Sequence, residues 1–132
     1  MKRLGLVLLL VIGISSLAYA EFVNDAGVAY TPTTKTHEAL SGKETDKVVW
    51  TPASGNKIVL TGLKFSSEVA TNFLVETGST AVIPTSECTA SGQVVIGTGT
   101  PIWKGAADET LTYTTRVAGG HSILMWGYET TN

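Results

Sequence analysis

Glu109-Thr110-Leu111-Thr112-Tyr113-Thr114-Thr115-Arg116-Val117 alternates almost residue by residue, with Leu111, Tyr113, Thr115 and Val117 on one parity and Thr110, Thr112, Thr114 and Arg116 on the other. Successive side chains leave an extended strand on opposite sides, so a period of two predicts a strand with one buried face and one solvated threonine ladder. Downstream of the Gly119-Gly120 turn the alternation fails. In the predicted strand 121–129, Ile123 and Met125 point one way and Leu124, Trp126 and Tyr128 the other. A strand apolar on both faces needs cover on each, from a second layer of its own fold or from another subunit. The expectation is subunit contact through Leu124, Trp126 and Tyr128.

Upstream, short apolar runs rich in Val, Ile, Thr and aromatics predict strands at 47–51, 57–65, 72–76, 80–83 and 93–96. Ser54-Gly55-Asn56, Gly78-Ser79, Ser91-Gly92, Gly97-Thr98-Gly99 and Ala118-Gly119-Gly120 supply the turn chemistry between them. Beyond residue 20 no segment carries four turns of amphipathic helix, and 66–70 is expected to form a single helical turn at most. The fold expected is an all-β, antiparallel β-sandwich of jelly-roll type over 47–132. Residues 21–46, polar and threonine-rich, are expected to form an extended N-terminal arm with one short strand at 27–31.

Residues 1–20 have the pattern of a cleavable signal peptide: Lys2 and Arg3, an apolar run from Leu4 to Ile14, and a small-x-small close at Ala18-Tyr19-Ala20. Cleavage is expected after Ala20, with a retained membrane anchor as the rival, since the apolar stretch falls short of the ~20 residues a spanning helix needs. The chain is therefore expected to be secreted or held at the cell surface, with membrane attachment only if that segment is retained. Cleavage leaves 112 of the 132 residues, one domain's worth. Losing Lys2 and Arg3 from nine basic residues leaves seven against eleven acidic ones, a net charge of −4. The seven are scattered singly, so no basic stripe tracks a phosphate backbone and nucleic acid is not an expected partner.

Catalytic chemistry is thinly supplied. Cys88 is the single cysteine, so no internal disulfide forms, and it is expected to fill apolar space near a loop. The two histidines, His37 in the irregular arm and His121 after a tight turn, are expected to be solvated loop residues. No H-x-H, H-E-x-x-H or C-x-x-C spacing occurs, so neither a metal site nor a cofactor is expected. Asp108 and Glu109 are explained as solvated turn charges, and the Gly97-Thr98-Gly99 run as an inter-strand connection without the lysine of a phosphate loop. Among the aromatics, Trp103 follows Pro101 in a predicted loop and is the candidate for stacking a sugar ring.

Four segments together resemble small jelly-roll proteins of phage virions: Gly55-Asn56-Lys57-Ile58-Val59-Leu60-Thr61-Gly62-Leu63, Pro101-Ile102-Trp103-Lys104-Gly105, Glu109 to Thr115, and Ile123-Leu124-Met125-Trp126-Gly127-Tyr128-Glu129. Such proteins serve as capsid-decorating, spike or fibre-head modules, often as trimers with tumour-necrosis-factor-like packing. The resemblance spans residues 47–129 and consists of strand-and-turn patterns. It implies a last strand packed at a three-fold axis through Leu124, Trp126 and Tyr128, and it sits uneasily with an export signal, because a virion assembled in the cytoplasm needs none. The function expected is a non-enzymatic exported structural or adhesive module that self-associates as a trimer, with capsid, cell-surface or glycan partners. The alternatives are a carbohydrate-binding module using Trp103 and a subunit of an extracellular filament.

Overall fold

The computed structural model describes residues 22–23, 29–30 and 32–131. The signal segment 1–20, its cleavage point and much of the 27–31 strand lie outside them. The described chain is all β, ordered β1 (Phe22–Val23), β2 (Ala29–Tyr30), β3 (Thr33–Ala39), β4 (Lys47–Trp50), β5 (Lys57–Ser67), β6 (Thr71–Thr77), β7 (Thr80–Cys88), β8 (Gly92–Ile96), β9 (Trp103–Lys104), β10 (Leu111–Thr115) and β11 (His121–Thr130).

Two antiparallel sheets pack face to face. One runs β4-β10-β6-β7 and the other β3-β11-β5-β8, with β9 also pairing β5. The core lies between them: Ile58, Leu60, Leu63 and Phe65 of β5 and Ile123 and Met125 of β11 meet Trp50, Phe73, Val75, Leu111 and Tyr113. Phe65 and Phe73 stack across the gap with ring centroids 4.2 Å apart. Removing such side chains from water is the main favourable term in a fold that no disulfide staples.

The strand order places residues that sequence patterning places differently. Thr33–Ala39, drawn from sequence as part of a polar arm, is β3, paired with β11 over seven positions from Thr33↔Gly127 to Ala39↔His121. Its side chains are mostly polar, so hydrophobic patterning cannot find it, and its backbone hydrogen bonds to β11 hold it at the sheet edge. The sandwich therefore begins well before residue 47. β5 runs on to Ser67, where a helical turn was expected. β7 continues to Cys88, past the predicted end at residue 83. It passes through Pro84, which an edge strand tolerates because its missing N–H need not face a neighbour; a register shift opposite Phe73 and Val75 absorbs the irregularity.

The threonine ladder of β10 is also less wet than its alternation implies. β10 lies between β4 and β6, and Thr112 is only 9 % exposed. Flanking strands shield the outer face of a central strand, and the hydroxyls find partners there. Thr112 Oγ1 donates to the Glu76 carbonyl at 3.4 Å and Thr114 Oγ1 accepts the Asp46 N–H at 3.0 Å; on the opposite parity Thr115 Oγ1 accepts the Glu44 N–H at 3.0 Å, so both faces tie the β3–β4 connection to β10.

A bulge shapes the centre of the larger sheet. The β11–β5 register shifts between Trp126 and Gly127, which pair with Gly62 and Leu60. Glycine at both positions is required by contact: a Cβ on Gly127 would strike the Val59 carbonyl, and one on Gly62 would strike the Trp126 indole.

Candidate functional site

The pleat puts Leu124, Trp126 and Tyr128 on the face of β11 turned away from the core. All three are partly buried rather than open, Trp126 and Tyr128 for reasons the contacts show. Trp126 lies across Gly62 of the adjacent strand. Tyr128 packs on Tyr30, ring centroids 4.3 Å apart, and Tyr30 reaches back to donate to the Gly99 carbonyl at 3.4 Å. Val59, the cross-strand partner of Tyr128, is only 1 % exposed. At this end the chain's own N-terminal segment supplies outer cover.

Towards the other end of β11 no comparable cover is present among the described residues. Leu124 stands in a cross-strand row with Thr36 of β3, Lys64 of β5 and, beyond Lys64, Val95 of β8. Thr36 and Lys64 are exposed, and Val95 is 57 % exposed. The three aromatic and aliphatic side chains singled out by parity thus share one face, with the solvent-facing part centred on Leu124 and Val95.

Trp103 is not in a loop. It forms β9 with Lys104, pairs Leu60 and packs its half-buried ring against the core, with Gly105 lying close against the indole. A stacking platform needs a free ring face, and much of this ring is spent on packing.

The two histidines have environments that sequence alone misplaces. His121 is the first residue of β11 and 3 % exposed, not solvated. Its Nε2 lies 3.0 Å from the Val117 carbonyl, which can only accept, so Nε2 carries a proton; Nδ1 lies 3.0 Å from Ser67 Oγ. Ser67 Oγ also lies 2.6 Å from the Val69 carbonyl and accepts the Val69 N–H at 3.2 Å, so its one proton is shared between that carbonyl and Nδ1. These bonds tie the end of β5 to the β10–β11 connection. His37 lies in β3 rather than in irregular chain, its ring 5.7 Å from that of Tyr113.

A groove of about 360 Å³ opens at the same end of the five-stranded sheet, lined by Glu38, Leu40, Ser66, Glu68, Ser91 and Ser122 among others. Neither glutamate pairs with a cation among the described residues.

The remaining carboxylates hold loops. Glu129 accepts from Trp50 Nε1 at 2.9 Å, Ala53 N–H at 2.8 Å and Asn56 Nδ2 at 3.1 Å. The hydrogen bond from Trp50, with those from Ala53 and Asn56, holds its carboxyl below the usual range against the opposing effect of burial. Asp108 accepts the Gly55 N–H at 2.7 Å and Glu109 the Ala106 N–H at 2.5 Å, so both serve turns. Burial pushes the Cys88 thiol up, which makes it a poor nucleophile at neutral pH. Burial, with the nearby Glu44 carboxylate, raises the Tyr113 phenol as well. Among the described residues no three His, Cys, Asp or Glu side chains converge as a metal cage, and no helix is long and apolar enough to cross a membrane. Comparison with protein-family models, curated proteins and solved structures finds no match for this chain.

Proposed function

We propose that this chain is a non-enzymatic jelly-roll module, exported on residues 1–20 with cleavage after Ala20, that serves as a structural or adhesive unit by joining copies of itself. Two features support the jelly-roll reading. The sheets order β3-β11-β5-β8 and β4-β10-β6-β7, so the first and last strands of the sandwich are neighbours. Consecutive long strands also cross between the sheets at every step but β6 to β7, the path of two interlocked Greek keys.

The observation that carries self-association is the outward row of Leu124 and the 57 % exposed Val95, on a sheet face whose opposite side is already filled by core. A second copy laid on this face removes apolar surface from water on both partners, and three-fold closure avoids an open filament. A trimer is the state implied by the virion-decoration proteins that the sequence resembles.

Light scattering on purified protein tests this. The expected result is a trimer at micromolar concentration that Leu124→Lys converts to monomer, because the new ammonium would be buried beside the like charge of Lys64, its cross-strand partner. A monodisperse monomer of the unaltered chain overturns the proposal. Leu124 is the better probe than Trp126, whose ring packs within its own sheet on Gly62.

The groove beside Glu38 and Glu68 favours a second reading, capture of a hydroxyl-rich glycan, since its serine hydroxyls and unpaired carboxylates offer many hydrogen-bond partners. A glycan array on which Glu38→Ala and the unaltered chain give the same silent background removes it.

A further inference from the structure

The outer face of the five-stranded sheet carries charges of both signs that stay apart. Lys64 stands exposed between Leu124 of β11 and Val95 of β8, in the middle of the apolar row. Two residues along the strands, the next row reads Glu38, Ser122, Ser66 and Gln93 across β3, β11, β5 and β8, and there the groove opens. Glu38 and Glu68 line it and are exposed, and neither they nor Lys64 form an ion pair among the described residues. Strand spacing sets the Lys64 backbone about 13 Å from that of Glu68 and about 12 Å from that of Glu38. Side chains stand off a sheet roughly perpendicular to it, so at that spacing the opposite charges project side by side without meeting.

We infer that the Lys64 ammonium enters the groove of a neighbouring copy of this chain and lies between that copy's Glu38 and Glu68 carboxylates. The inference rests on self-association through the Leu124 and Val95 face, and it names the contact that orients it. A patch of one sign meeting a different patch of the other sign is a head-to-tail contact, which three-fold rotation closes into a ring. Stacking that lays Lys64 on Lys64 is disfavoured by like charge, so the pairing fixes a register that apolar contact alone leaves free. The groove suits a lysine in size and chemistry. It holds about 360 Å³, and Leu40 in its lining is 92 % exposed, which offers apolar surface to the methylene stem. The three N–H donors of an ammonium match two carboxylates and a serine hydroxyl of the lining. The walls are held by backbone. Glu38 pairs with Ser122, while the Glu68 N–H donates to the Gly120 carbonyl at 3.0 Å and its carbonyl accepts the Ser91 N–H at 3.3 Å. Gly120 leaves room for the acid, since a Cβ there would strike the Glu68 carboxylate.

Light scattering over a dilution series, on the unaltered chain and on charge-reversed variants, tests the contact. Lys64→Glu in one variant, and Glu38→Lys with Glu68→Lys in another, should each raise the concentration at which the assembly dissociates at least ~10-fold, because like charges then face each other between copies. All three reversals in one chain should restore the unaltered dissociation midpoint, since the pairs re-form with their signs exchanged. Circular dichroism shows that each variant keeps its β fold. Two results overturn this contact and leave self-association standing: an assembly indifferent to Lys64→Glu, or a triple variant no tighter than the other two. A glycan-array signal from the assembled chain that Glu38→Ala abolishes gives the groove to a sugar and overturns it as well. A monomeric unaltered chain overturns it together with the reading on which it rests.

Discussion

The two faces of β11 are built from similar residues and meet different fates. Ile123 and Met125 on the inner face are 0 % exposed, enclosed by two sheets. Leu124, Trp126 and Tyr128 on the outer face are only partly buried, covered unevenly by Gly62 below Trp126, by Tyr30 over Tyr128 and, among the described residues, by nothing comparable over the row that ends at Val95. Apolar character alone does not tell a core face from a contact face. What separates them is whether the chain itself can bring a second layer to that side, and among the described residues it brings a full sheet to one and Tyr30 to part of the other.

Substitutions along this strand grade the difference. Ile123→Ala should have the largest effect, destabilising by about 2–5 kcal/mol in denaturant unfolding, because a cavity in a close-packed interior cannot collapse. A loss well under 1 kcal/mol would mean that the inner face is no tighter than the outer. Glu129→Gln, at the strand's far end, should cost about 1–2 kcal/mol at neutral pH by weakening its hydrogen bonds to Trp50, Ala53 and Asn56. The sign of its pH dependence follows from a carboxyl held below the usual range. The stabilisation is complete above the ordinary glutamate value and is lost as pH falls through the lower folded one, so the two stability curves should converge in acid. A gap that persists or widens in acid would show that the charge is not responsible. Tyr30→Ala should be mildest, about 0.5–1.5 kcal/mol, since it removes a tilted ring contact and a long hydrogen bond to the Gly99 carbonyl from the outer face. A larger loss would make the N-terminal segment a true second layer.

The two histidines repeat the lesson at the scale of single side chains. Both were expected in loops and both lie in strands, yet His121 has a hydrogen-bond partner for each ring nitrogen while His37 Nε2, 3.8 Å from Glu44 Oε1, has none among the described residues. His121 follows two glycines, a local signal of exposure that the returning end of β5 overrides. His37 and Glu44 meet Tyr113 only once the sheets close, because β10 lies far along the chain from β3 and the connection after it. Trp103 shows the same limit: its two-residue strand exists because β5 is long enough to pair both β8 and β9.

The sequence by itself determined the all-β class, the positions of most long strands and the turns between them, because a period of two, β-branched composition and glycine-rich breaks act within a few residues of themselves. It also determined the parity that divides Ile123 and Met125 from Leu124, Trp126 and Tyr128. Only the tertiary structure decided that the polar segment Thr33–Ala39 is an edge strand, that His121 is buried, and which portion of the outer β11 face remains uncovered. Each of those depends on backbone partners and covering side chains from 54 to 98 positions away in the chain, as in the pairing of Thr33 with Gly127, Ser67 with His121 and Tyr30 with Tyr128, and no local pattern encodes which distant segment arrives.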